Sequence, residues 1–288
     1  MPLSDGASTD VHLDGPDDGE VVLLVPGLSQ HRTAWPPEVL AALHAAGYRT
    51  VAADNRDVGL GTVVDVAVDR LPRGADGWPQ APYTLARLAQ DHLDVLAHLG
   101  IDRAHVLGVS MGGMIAQHVA LADPGRVASL VSVMSTTGAR GVGAPTERAK
   151  PALTSIPPSD DLDAYVAYQL DLQATIGTPG AVDPLRSAAR ARVAFARGVH
   201  PWGSARQLLA IRADGDRTER LASLDVPTLV LHGEADPLID VSGGRATAAA
   251  IRGARLVTVP GWGHDLPASL VDRLAPPLLD HLATAAAG

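Results

Sequence analysis

Short, uninterrupted apolar runs alternate with stretches of helical spacing along most of this chain. Val21-Val22-Leu23-Leu24-Val25 contains no polar residue and is mostly β-branched. Such a run predicts a strand covered on both faces within a parallel sheet. It stops at Pro26-Gly27, and a helix is predicted over 37–46, where proline suits the first turn and Gly47 the C-terminal cap. A strand is predicted next over 48–53, closing at Asp54-Asn55-Arg56-Asp57. Leu85, Leu88, Ala89, Leu93, Leu96 and Leu99 then recur at helical spacing, with Asp91, His92 and Asp94 off that stripe and Gly100 as the stop. Further strands are predicted at Ala104–Leu107, Val127–Val133, Thr228–His232 and Arg255–Val259. Helices are expected over 113–122, 242–251 and 268–282, the last bent near Pro276-Pro277. Weak alternation from Ser8 to Leu13 predicts a short edge strand, and the aperiodic 58–82 stretch a long loop.

Repeated strand-helix alternation points to the α/β class, with a mostly parallel sheet joined by right-handed crossovers. The alternation breaks over 135–216, where helical patches at 162–174 and 187–196 are accompanied by few strand signals. We therefore expect a core made of 1–134 and 217–288, with 135–216 as a helical cap inserted over the sheet.

At 288 residues with 46% hydrophobic and 19% charged positions, the chain is long enough to bury a sizeable core and is not disordered in composition. A net charge of −9 without a basic stripe argues against a nucleic-acid partner. Cysteine is absent, which removes disulfides, thiol nucleophiles and cysteine metal sites and fits a cytoplasmic protein. Residues 1–18 are polar and acidic, unlike a secretory signal, and no apolar run reaches membrane-spanning length. The expected partner is a small-molecule substrate, with the chain monomeric or a weak homodimer.

Chemistry concentrates at three loops that follow predicted strands, where parallel sheets present their functional groups. Gly108-Val109-Ser110-Met111-Gly112 lies between an apolar run and a helical stretch, so Ser110 sits on a tight strand-to-helix bend with the Met111 amide at a helix start. Asp236 follows the strand at 228–232, in competition with Glu234, Asp240 and Asp265, and the glycine-flanked His264 follows the strand at 255–259. A hydroxyl nucleophile, an imidazole base and an orienting carboxylate, in the order Ser110, Asp236, His264, satisfy the needs of acyl transfer. Trp35, Met134, Tyr165, Trp202 and Trp262 are candidates for substrate contacts, joined by Met114, Tyr168 and Phe195 as a possible apolar wall. His31 is read either as a pocket residue or as a surface histidine. Asp54 and Arg56 are read as a structural ion pair, and His118 as a packing or solvent-facing residue. No His-Glu-x-x-His, paired-carboxylate, Gly-x-Gly-x-x-Gly or P-loop pattern occurs, so neither a metal nor a cofactor is expected.

The elbow, His232-Gly233-Glu234-Ala235-Asp236-Pro237 and Gly261-Trp262-Gly263-His264 together resemble the α/β-hydrolases. That resemblance implies an oxyanion hole built from the amides of Leu28, in Pro26-Gly27-Leu28, and Met111. Many relatives carry His-Gly where this chain has Pro26-Gly27. Asp54-Asn55-Arg56-Asp57-Val58-Gly59, Met111-Gly112-Gly113-Met114-Ile115-Ala116-Gln117 and Gly263-His264-Asp265-Leu266-Pro267 are similar to a bacterial esterase group that includes the aclacinomycin methyl esterases. Relatives usually have Asp-Thr-Gly-x-Ser in the first segment, where this chain has Val58 and Gly61-Thr62. The resemblance implies a serine hydrolase acting on a carboxylic ester, with a secondary metabolite as the expected substrate. Alternatives are a biosynthetic cyclase, lyase or perhydrolase on the same fold, and a non-catalytic ligand receptor.

Overall fold

The computed structural model describes residues 1–286. In chain order it contains β1 (Val11–Asp14), β2 (Val21–Val25), α1 (Pro37–Ala45), β3 (Arg49–Ala53), α2 (Leu85–His98), β4 (Ala104–Val109), α3 (Met111–Ala122) and β5 (Val127–Val133). Five helices follow without a strand: α4 (Lys150–Thr154), α5 (Leu162–Ile176), α6 (Pro184–Arg197), α7 (Gly203–Asp214) and α8 (Thr218–Leu221). The chain then returns to the sheet with β6 (Thr228–Gly233), α9 (Ser242–Ala250), β7 (Arg255–Val259) and α10 (Val271–Ala286).

The sheet order is β1-β3-β2-β4-β5-β6-β7, antiparallel only at the edge pair β1–β3. From β2 the chain winds to β3 on one side, then crosses back so that β4 lands on β2's other side. That reversal opens a crevice at the carboxyl ends of β2 and β4. Val25 is in register with Gly108, so the loops after the two strands leave the sheet side by side.

The unbroken apolar strands are explained by cover on both faces. Leu23 and Val25 pack toward α2 and α3 with Leu88, Leu96, Ile115 and Val119, whereas Val22 and Leu24 pack on the opposite face with Leu43, Leu274 and Leu282 of α1 and α10. Local signals set the helix starts: the Thr84 hydroxyl accepts from the Arg87 amide ahead of α2, and Asp161 and Asp183 cap α5 and α6 in the same way.

Several elements differ from the pattern-based expectation. Helix α3 begins at Met111 instead of 113, because the bend at Ser110 is tight enough to start the helix at the next residue. Asp91 and His92, off the apolar stripe of α2, are buried all the same. Asp91 receives a two-point hydrogen bond from Arg56, at 2.6 and 2.7 Å, and His92 donates to Asn55, so their burial is paid by polar partners. Asp54 and Arg56 do not pair with each other: Arg56 binds Asp91 and Asp5, while Asp54 binds Arg197 and the amides of Arg32 and Leu60. Helix α10 continues through both Pro276 and Pro277. No helix among the described residues is long and apolar enough to cross a membrane.

Candidate active site

Ser110 occupies the bend between β4 and α3 at φ 55°, ψ −122°, a left-handed-side conformation that non-glycine residues rarely adopt. Its amide donates to Val133 of β5, and its carbonyl accepts from the amides of Gly113 and Met114 and from the Ser135 hydroxyl. The bend is thereby fixed from both sides. It also explains Gly108, where a Cβ would fall 2.1 Å from the Gly112 carbonyl oxygen.

Neighbouring strands bring the other groups in. Gly233 of β6 is in register with Val259 of β7, so Asp236 and His264 emerge beside one another. Asp236 Oδ1 accepts from the amides of Leu238 and Ile239, both at 2.9 Å, leaving Oδ2 to accept from His264 Nδ1 at 2.7 Å. A carboxylate only accepts, so Nδ1 carries the imidazole proton and Nε2 presents its lone pair. Ser110 Oγ donates to that lone pair at 2.9 Å. Both Asp236 and His264 are buried. Glu234 faces Thr258, Asp240 caps the turn at Ser242, and Asp265 binds Thr178, so none of the competing carboxylates reaches the imidazole in this arrangement.

Leu28 and Met111 follow the adjacent strands β2 and β4. Their amides donate to no protein acceptor among the described residues, and Met111 stands at the positive end of α3. The Leu28 loop is held by residues the sequence did not single out. Gln30 accepts from the Gly27 amide, and Gln207 of α7 accepts from the Ser29 amide at 2.8 Å while donating to the Arg56 carbonyl. The His264 loop is held similarly: its amide donates to Ile176 of α5, and Asp265 Oδ1 accepts from both the amide and hydroxyl of Thr178. Burial raises the Asp265 pKa above the ordinary carboxylate value. Only a long-range fold could reveal these ties, since 178 residues separate Ser29 from Gln207.

A cavity of about 190 Å³ opens on Ser110 and His264, with Trp35, Met134, Tyr165 and Tyr168 among its walls. His31 is in that wall and buried, and its pKa is lowered to about 4 chiefly by burial, so it is neutral near pH 7. The structure does not bring Trp202 or Trp262 to the cavity. Trp202 immediately precedes α7 and is 44% exposed, whereas Trp262 is fully buried in the core against α10, with its indole N–H donating to the Asp265 carbonyl. Met114 faces the core below the sheet, and Phe195 packs on Tyr165 with ring centroids 5.6 Å apart. His118 is buried and bonded to Asp214 at 2.6 Å, away from this cavity.

Strand order, crossover pattern and the elbow at β4 define an α/β-hydrolase. The chain belongs to that family: its model, described as the alpha/beta hydrolase fold, matches residues 20–268. The rhodomycin D methylesterase DauP of Streptomyces sp. (strain C5) is 28% identical over 283 residues, covering 90% of each chain. The 3-oxoadipate enol-lactonase 1 of Acinetobacter baylyi is 27% identical over 244 residues, covering 83% of this chain and 80% of its own. Among solved structures, a hydrolase from Pseudomonas aeruginosa PA01 superposes with a TM-score of 0.73 at 28% identity, covering 100% of this chain and 97% of that one. This protein is accordingly an enzyme, a hydrolase of ester-type bonds.

Proposed function

We propose that the protein is a serine esterase in which Ser110 attacks the carbonyl of a small carboxylic ester. His264 accepts the hydroxyl proton through Nε2 and returns it to the leaving alkoxide, giving an acyl-enzyme that water then hydrolyses by the same route. Asp236 holds the Nδ1 tautomer and stabilises the imidazolium. The amides of Leu28 and Met111 bind the oxyanion, where two fixed donors lower the barrier by several kcal/mol, roughly 3 each. The observation that carries this reading is the single imidazole bridging Ser110 Oγ at 2.9 Å and Asp236 Oδ2 at 2.7 Å.

The helical segment 135–216 serves as the cap, because Tyr165 and Tyr168 from it share the cavity wall with Ser110 and Trp35 from the sheet. A cavity of 190 Å³ lies below the roughly 300–1,000 Å³ typical of drug-sized ligands, which favours a small ester over a bulky metabolite. The test is labelling with a fluorophosphonate together with turnover of short esters. Ser110→Ala is expected to lose both, whereas retained turnover in that variant would favour a cyclase or lyase, and an unlabelled, inactive wild type a ligand receptor.

A further inference from the structure

Helix α6 carries three arginines whose environments differ. Arg186 pairs with Glu38, and Arg197 pairs with Asp10 and Asp54. Arg190 lies between them, lines the same cavity as Ser110, and has no carboxylate within ion-pair distance among the described residues. Of its five N–H donors one is used, by Nη2 on the Ala34 carbonyl. Asp265 also lines the cavity, its Oδ1 committed to Thr178, and with Glu38 it favours the charged guanidinium from a distance, although neither carboxylate pairs with Arg190. A guanidinium stays ionised at any working pH, so Arg190 brings to an enclosed site a positive charge that no carboxylate contacts directly. Holding such a charge away from bulk water is costly unless an anion joins it.

The loop after β2, beside Arg190, also buries polar atoms without partners. Ala34 is followed by Trp35, which is 5% exposed and whose indole N–H has no hydrogen-bond partner. Ser29 Oγ and His31 Nδ1, on the same loop, are likewise buried without partners, and all three residues line the cavity. A cavity meant for hydrocarbon alone would not carry in its wall an arginine that uses one N–H donor and has no ion-pair partner.

We propose that Arg190 binds a carboxylate on the substrate, so that the preferred substrates are small esters or lactones carrying a second, ionised acid group. The inference rests on the esterase reading above. Arg190 contributes through binding and takes no proton. The size of the cavity limits the spacer between the scissile carbonyl and the carboxylate to a few carbons.

The experiment compares monomethyl glutarate, which carries a carboxylate, with dimethyl glutarate, which does not, in wild type, Arg190→Gln and Arg190→Lys. Wild type is expected to favour the half-ester by at least about tenfold in kcat/KM, a preference of the size one charge-assisted contact gives. Arg190→Gln should abolish that preference mainly by raising KM for the half-ester, with Arg190→Lys recovering part of it. Glutarate should inhibit turnover of the neutral ester in wild type and at least about tenfold less in Arg190→Gln. Equal use of the two esters by wild type, or an equal loss on both in Arg190→Gln, would overturn the carboxylate site while leaving the esterase intact. Failure of wild type to hydrolyse any ester or to react with fluorophosphonate would overturn both.

Discussion

A Cβ placed on Gly112 would stand 2.1 Å from the carbonyl oxygen of Val25, the last residue of β2. The first turn of α3 is therefore pressed directly against the backbone of the neighbouring strand, and this contact sets the height at which Ser110 meets the loop carrying Leu28. Gly112→Ala has no side chain to push aside, so the backbone itself must move. We expect a stability loss of about 1–3 kcal/mol, read as a lower urea midpoint, and a fall in ester turnover larger than that loss explains.

Asp236→Asn keeps the shape of the orienting side chain but removes the acceptor that fixes the Nδ1–H tautomer of His264. An amide nitrogen at Oδ2 would confront the imidazole with a donor. The expected result is a drop in kcat of about 10³–10⁴ with little change in KM, measured on a short activated ester, in a variant whose thermal unfolding shows that it is still folded at the assay temperature.

His92 is fully enclosed and its pKa is lowered to about 4 by burial. Asn55 fixes its tautomer: the Asn55 amide nitrogen donates to the Pro26 carbonyl, so its oxygen accepts from His92 Nε2 at 3.0 Å, and Nδ1 is left without a partner. The unfolded chain takes up this proton near pH 6.5 and the folded one only near 4, so stability is complete above about pH 6.5 and declines as pH falls toward 4. By linkage this group alone should cost about 2 kcal/mol at pH 5. Urea titrations between pH 7 and 5 are expected to show the decline, and His92→Gln to lessen it by about this amount, since His31 and His281, also lowered to about 4, contribute the same sign.

Arg206 of α7 grips Asp57 with two hydrogen bonds, at 2.7 and 2.8 Å, and Tyr83 and the Val64 amide complete the carboxylate's shell. The side chains of Asp57 and Arg206 are 0% and 4% exposed. Arg206→Met leaves Asp57 ionised and buried, which costs about 3–5 kcal/mol. The double variant Arg206→Met/Asp57→Asn should recover part of that loss, as a double-mutant cycle in urea would register.

The two tryptophans that lie off the cavity give opposite expectations. Trp262→Ala empties a site in the core and should cost about 3–5 kcal/mol of stability. Trp202→Ala removes an exposed ring and should alter kcat/KM by no more than about twofold.

The strands at 21–25, 127–133 and 255–259 are where the sequence alone places them, because β-branched and apolar residues concentrated between turn residues mark a strand whether it is buried throughout, as at 127–133, or half-exposed, as at 255–259. The Ser110 bend was legible too, since glycines at 108 and 112 on either side of it state a steric need in local terms. Asp236 and His264 were legible as loop residues after strands, although their meeting depends on β6 and β7 lying in register. The helices at 150–154, 203–214 and 218–221 were not read. They are short or weakly amphipathic, and they are held by tertiary partners such as Asp57 for Arg206 and Gln117 for Arg217.

Side-chain destinations followed the same division. Asp54 and Arg56 are near neighbours in the chain and far apart in partnership, for Arg197 and Asp91 arrive from elsewhere in the fold to claim them. Trp35 and Trp262 look alike as loop aromatics, yet one borders the cavity and the other fills the core. The sequence by itself determined which segments are sheet, where the serine bends the chain and the order of Ser110, Asp236 and His264 along it, because apolar patterning and glycine sterics act over a few residues. Only the tertiary structure decided which wall each aromatic joins and that Arg190 enters the cavity without a counterion, because the packing of α6 over the sheet brings together positions that no local rule relates.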